Sequence, residues 1–248
     1  MNNAMVKSMP YALCAAIAYG LKYHYSRASV GDLLWILSPT AGLVEWLSGV
    51  SFLYDPSKGF VNVVQGIAIA PACGGVNFLI IAFVMSFFSF GNRYATWKSR
   101  VIWLIVSILL SYAMTLAVNS IRICVSIESI THGFHGGWLT QDRVHRIEGV
   151  VINFFFLAVF YAGMEQLTRF HGKRKSEGRG AFTGLKPLFW YLLVALVVPV
   201  LTGNYREHGG QFLEHGLMVV GSSIVVLVLL HSLRRLFLPI TSGCGIKQ

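Results

Sequence analysis

The sequence is short of charge: only 12% of its 248 residues are Asp, Glu, Lys or Arg, where a soluble domain carries about a quarter. A water-facing surface for a chain of this length cannot be built from so few, which excludes an ordinary soluble globular fold. Acidic residues are the scarcest, 10 against 20 Lys plus Arg, leaving a formal charge of +10. In a soluble protein that excess would point to nucleic acid. In a chain that crosses a membrane it marks the cytoplasmic loops instead, so no nucleic-acid partner is expected. Cysteine is sparse as well. Cys14, Cys73, Cys124 and Cys244 lie far apart with no CxxC pair, which argues against a disulfide framework and against a Cys-based zinc site. No repeat of fixed period and no second domain is visible, so residues 1–248 read as one integral membrane domain, with the motif-bearing core at about residues 30–170. Lys22 and His24 interrupt the place where a removable signal peptide would be cut.

Apolar sequence is what the chain has in abundance, 55% of all residues. Several runs approach the ~20 residues that cross a bilayer. Candidate spans fall at about residues 10–24, 33–53, 75–90, 101–118, 147–167, 187–201 and 216–233. The second is bent near Pro39 and holds Glu45, an acid at a depth where a carboxylate faces protein, water or the interface rather than lipid. Residues 54–72 carry Asp55-Pro56, Gly59 and Gly66, too short and broken to cross, and read as an interfacial or re-entrant segment that delivers Cys73 to the surface. The expected fold is all-α: a polytopic transmembrane bundle of about seven to eight spans with that segment before Cys73.

Basic loops set the orientation. Residues 91–100, 169–186 and the Arg234-Arg235 tail alternate as three loops on one side, which the positive-inside rule makes cytoplasmic. The stretches near Cys73, at 119–146 and at 204–215 then face outward. Lys22 and Arg27 narrowly favour an inner first loop, and hence an outer amino terminus.

Three chemically capable residues converge on the outer boundary. Cys73 opens the third span, Arg122 lies past the outer end of the fourth, and His145 precedes the fifth. A thiol supplies a nucleophile once a neighbouring cation or base favours the thiolate. Imidazole passes a proton to a leaving amine, and guanidinium holds a developing oxyanion. Gly74 and Gly75 let another backbone approach the thiol, and Asn119, one turn before Arg122, is placed to orient the guanidinium or a substrate backbone. Each residue has a plainer role: Cys14 and Cys244 read as small packing residues, Arg122 alone could snorkel, and His145 sits between Arg143 and Arg146.

The segments Pro71-Ala-Cys73-Gly-Gly75, Asn119-Ser-Ile-Arg122 and His145-Arg-Ile-Glu-Gly149 resemble, in order and each at a span boundary, the three motifs of the exosortase/archaeosortase family. Many members carry Ser directly after the Cys; here that position is Gly74. The resemblance implies a multi-pass protein of the bacterial inner (plasma) membrane, a cysteine peptidase/transpeptidase whose active site faces the periplasm. Cys73, Arg122 and His145 would be catalytic, with no cofactor and no metal. Its implied partners are the lipid bilayer, exported proteins ending in a short motif, an apolar sorting helix and a basic tail, and an amine or a glycan or lipid acceptor.

Two other classes compete. A metal site could be built from His132, His135 and His145, although the His132-Gly-Phe-His135 spacing lacks the i, i+4 pair and Glu of a zincin. A transporter would also place charges at boundaries, but the charges cluster at one surface and no internal repeat accompanies them.

Overall fold

A computed structural model of the protein describes residues 3–133, 140–171, 185–197 and 209–237. Its helices are α1 (Asn3–Tyr25), α2 (Leu34–Ser48), α3 (Val76–Phe90), α4 (Trp97–Thr131), α5 (Gln141–His171), α6 (Leu185–Leu192) and α7 (Gly209–Phe237), with α6 running on into a π-helical turn. Between α2 and α3 lies a three-stranded antiparallel sheet, β1 (Leu53–Asp55), β2 (Gly59–Asn62) and β3 (Ile67–Ile69), in the order β1-β2-β3.

The protein is a predominantly helical membrane protein. Three helical stretches are long and apolar enough to cross a bilayer: Pro71–Arg93, Trp97–Thr131 and Arg143–Thr168, with shorter apolar helices at Lys186–Leu196 and Gly216–Leu229. The seven to eight spans expected from sequence are therefore not reached among the described residues. The 35 residues of α4 rise about 50 Å at 1.5 Å each, well beyond the ~30 Å of a hydrocarbon core. One end of α4 must therefore stand clear of the apolar layer.

Side-chain contacts fix which ends of the helices lie together. Tyr11 on α1 donates its hydroxyl to the Asn92 side chain just after α3, while Lys22, near the other end of α1, donates to Asn77 Oδ1 at 2.9 Å. Helix α1 thus runs antiparallel to α3, with its Tyr11 end beside the loop that carries Arg93 and Arg100. This corrects the orientation expected for the first segment. Lys22 does not mark a loop at the basic end: it is half-buried at the Cys73 end, with its ammonium on Asn77 and 5.6 Å from the Tyr25 ring centroid. Charge counting misplaced it because the lysine is used inside the fold.

The second expected span is also revised. Helix α2 has 15 residues, about 22 Å, too short to cross. It stops at Gly49, whose left-handed backbone (φ 71°) lets its N–H close on the Glu45 carbonyl. The Glu45 carboxylate accepts the Phe52 N–H at 2.6 Å, tying the helix end to the chain entering β1. Glu45 is thus a helix-end carboxylate. Both chain neighbours of α2 sit at the Cys73 end, because Tyr25 reaches the Pro71 carbonyl at 3.4 Å and β3 leads directly into Pro71. The chain segment that holds α2 therefore leaves that end and returns to it, with the Trp35 carbonyl accepting from the Tyr112 hydroxyl at 2.7 Å.

The segment expected to be interfacial or re-entrant is the sheet. Leu53 pairs with Val61, and Phe60 with Ile69. Gly59, at φ 102°, lies so close to β3 that a Cβ there would stand 2.3 Å from the Ile69 carbonyl oxygen. Only glycine admits that pairing.

Two apolar cores divide the bundle. One gathers Phe83, Phe87, Phe90, Trp103, Phe154 and Leu157 with Val219 and Val226 from α3, α4, α5 and α7. The other joins Leu33, Ile36, Leu37 and Val44 to Ile69, Val76, Ile80, Ile123 and Ile127, so α2 and the sheet cap α3 and α4 at the Cys73 end. Cys73 lies against this second core.

Candidate active site

Cys73 is the last residue of a single 3-10 turn, Pro71–Cys73, whose first residue is the proline. Its N–H closes on the Ala70 carbonyl at 2.8 Å and the Gly74 N–H on that of Pro71 at 3.0 Å. Proline's fixed φ starts the turn, and Gly75, in the left-handed region at φ 75°, reverses the backbone into α3. The thiol is free and half-buried.

This turn is held on α4. The buried Asn119 donates its amide Nδ2 to the Cys73 carbonyl at 2.5 Å. Gly75 makes the approach possible: a Cβ there would meet Asn119 Cγ and Thr115 Cγ2 at 3.1 Å each. At Gly74 a Cβ would stand 3.2 Å from the Pro71 carbonyl oxygen and 3.4 Å from Leu37 Cδ2. The close approach that the two glycines permit is thus that of the chain's own α2 and α4. An alanine at position 75 would combine that crowding with a left-handed backbone, which alone costs an L-residue about 1–2 kcal/mol.

Arg122 follows Asn119 by one turn on the same helix face. Its Nε is buried with no hydrogen-bond partner among the described residues. Its side chain passes Gly149 of α5, where a Cβ would come within 3.7 Å of Arg122 Cδ. An unsatisfied donor on a partly buried cation is costly, and such groups at membrane depth mark functional sites. Tyr25, at the end of α1, lies within electrostatic range of both the Cys73 thiol and the Arg122 guanidinium, linking the two. Sequence reading gave no signal for Tyr25, since nothing local shows that α1 ends beside Pro71.

His145 is on α5, one turn before Gly149. Its Nδ1 lies 3.0 Å from the hydroxyl of Ser126, which is on α4 one turn beyond Arg122. The same hydroxyl donates to Glu148 Oε2 at 3.4 Å. Asn119, Arg122 and Ser126 are spaced by three and four residues, so one face of α4 presents all of them. That spacing is the signal by which Ser126 could have been found. Arg143, a turn earlier than Arg146, is tied to α7 by a 2.8 Å bond from its Nε to Glu214 Oε1.

Of the histidines in the competing metal reading, only His132 and His145 lie among the described residues. His132 lies at the end of α4, exposed, with Nδ1 3.0 Å from the Glu128 carbonyl and 3.3 Å from its carboxylate. His135 lies outside the described residues. Among the described residues no three metal-ligating side chains gather. Cys124, two residues from Arg122, is a free thiol packed against the same apolar core as Cys73.

A turn bearing a thiol, a cation with an open donor and an imidazole held on a hydroxyl thus share one end of the bundle, built on α3, α4 and α5. No curated protein and no solved structure matches the chain. A family model described as transmembrane exosortase matches residues 9–164, which takes in α1 as well as the region from residue 30 where the motifs lie. The chain belongs to the transmembrane exosortase family.

Proposed function

We propose that this protein is a cysteine peptidase/transpeptidase of the bacterial inner membrane, which cleaves the C-terminal sorting signals of exported proteins at the extracytoplasmic face. The observation that carries the reading is the Cys73 turn fastened to α4 by Asn119, with the unpartnered Nε of Arg122 one turn further along.

The substrate's apolar helix docks beside the bundle and brings the scissile peptide to the Cys73 turn. His145 takes the Cys73 thiol proton as the sulfur attacks the carbonyl carbon, and the carbonyl π electrons move onto oxygen. Arg122 donates to that oxyanion, where a charge-assisted hydrogen bond is strongest. As the tetrahedral adduct collapses, the C–N bond breaks and His145 supplies a proton to the departing amine. The thioacyl product stays on Cys73 until an acceptor amine, or water, attacks it, passes its proton to His145 and restores the thiol–imidazole pair. The expected acceptor is an amine, or a glycan or lipid. Asn119 is a positioning residue here, because its amide fixes the backbone that carries the sulfur.

The reading is tested on the exported proteins of the native cell. Deleting this chain is expected to leave proteins that end in an apolar helix and basic tail full-length, and restoring it to shorten them upstream of the helix, by C-terminal mass spectrometry. Identical C-termini with and without the chain would overturn the proposal.

A further inference from the structure

We propose that Ser126 couples the Glu148 carboxylate to His145 through its hydroxyl, making Ser126 and Glu148 positioning residues for the imidazole. This rests on the reading of His145 as the acid–base group. Ser126 is buried, and its Oγ lies 3.0 Å from His145 Nδ1 and 3.4 Å from Glu148 Oε2. A hydroxyl has one proton to donate and lone pairs to accept with. An ionised carboxylate can only accept, so the Ser126 proton is directed to Glu148. The oxygen's lone pair then faces Nδ1, which must carry a hydrogen. That selects the Nδ1–H tautomer, leaves the lone pair of the neutral ring on Nε2, and suits the imidazolium equally well. The arrangement is a His–hydroxyl–carboxylate relay, in which a serine stands between two groups that in other acid–base sites touch directly.

Position along the helices explains how it forms. His145 and Glu148 are three residues apart and so share one face of α5, and Ser126 meets both from α4. Among the described residues, the ionisable groups that flank these positions along the helices are Arg122, Cys124 and Glu128 on α4 and Arg143 and Arg146 on α5, with Glu214 of α7 bound to Arg143 and Tyr191 of α6 within electrostatic range of Arg122. The only carboxylate the Ser126 hydroxyl reaches among the described residues is that of Glu148.

The test uses the full-length protein in membranes and, as probe, the exported substrate whose C-terminus changes on deletion. Ser126→Ala and Glu148→Gln are each expected to lower kcat by about 10- to 100-fold with KM unchanged, less than the ~100- to 10,000-fold that loss of a general acid–base group costs. Ser126→Thr, which keeps the hydroxyl, is expected to restore most of the rate. Both losses should move the His145-dependent limb of the pH–rate profile to lower pH, because the carboxylate no longer favours the imidazolium. The double variant should be no slower than Ser126→Ala alone, since the two act as one unit. Wild-type rates and pH profiles in both variants, or losses that multiply, would overturn the relay while Cys73-dependent cleavage persists. Cleavage that survives Cys73→Ala would instead remove the reading on which the relay rests.

Discussion

Cys73→Ala is expected to abolish cleavage while leaving the bundle folded. The side chain is small and half-buried against the second of the two cores, and trimming such a group costs roughly 1 kcal/mol. What holds the turn is backbone: the Cys73 carbonyl taken by Asn119, and the closures onto Ala70 and Pro71, none of which needs the sulfur. Stability and chemistry are therefore separable at this position. Cys73→Ser is expected to be nearly as inactive, because a hydroxyl is a far poorer nucleophile at the same place. Membrane abundance and C-terminal mass spectrometry of the substrate check both variants. His132→Ala, by contrast, removes an exposed ring at the end of α4, beside Glu128 and away from the Cys73 turn, and is expected to be mild.

Arg122→Lys keeps the charge and is expected to lose roughly 100- to 1000-fold in rate, the cost of one oxyanion donor. Guanidinium presents several donors in a planar fork, and its Nε lies along the shaft where Arg122 is buried and unpartnered. Lysine has no donor at that point; its ammonium sits at the tip of a flexible stem. Lysine's shaft is no bulkier than arginine's, so the substitution should fold, and the loss should fall in kcat. A Lys variant with the wild-type rate would show that only a diffuse positive charge is required.

Much of this was legible in the sequence where the signal is local. The apolar lengths of α3, α4 and α5 announced membrane-crossing helices, and Cys73, Arg122 and His145 stood out because each breaks the apolar pattern at a boundary. Helix α2 was less readable. Its apolar residues Ile36, Leu37 and Val44 face other helices rather than lipid, and composition alone does not separate the two. The sheet escaped notice because its strands are three or four residues long. Contacts between distant elements were invisible altogether: Tyr25 on Pro71, Asn119 on Cys73 and Ser126 on His145 are separated by 46, 46 and 19 positions. They depend on how α1 and α5 register against α3 and α4. The basic loop at 169–186 and the stretch at 204–215 lie largely outside the described residues, so the orientation read from them remains an expectation from charge.

The central claim is that Cys73 forms a covalent acyl bond to the substrate, and the most direct measurement is to trap it. The protein in membranes is mixed with a peptide spanning the short motif, apolar helix and basic tail of an exported protein whose C-terminus changes on deletion, quenched in acid, digested and analysed by mass spectrometry. The account predicts an acyl mass on the peptide containing Cys73. It should be released by hydroxylamine, accumulate in His145→Ala if that variant still acylates but resolves slowly, and be absent from Cys73→Ala. Substrate cleaved at the full rate with Cys73 unmodified throughout, or an adduct that forms equally in Cys73→Ala, would contradict it.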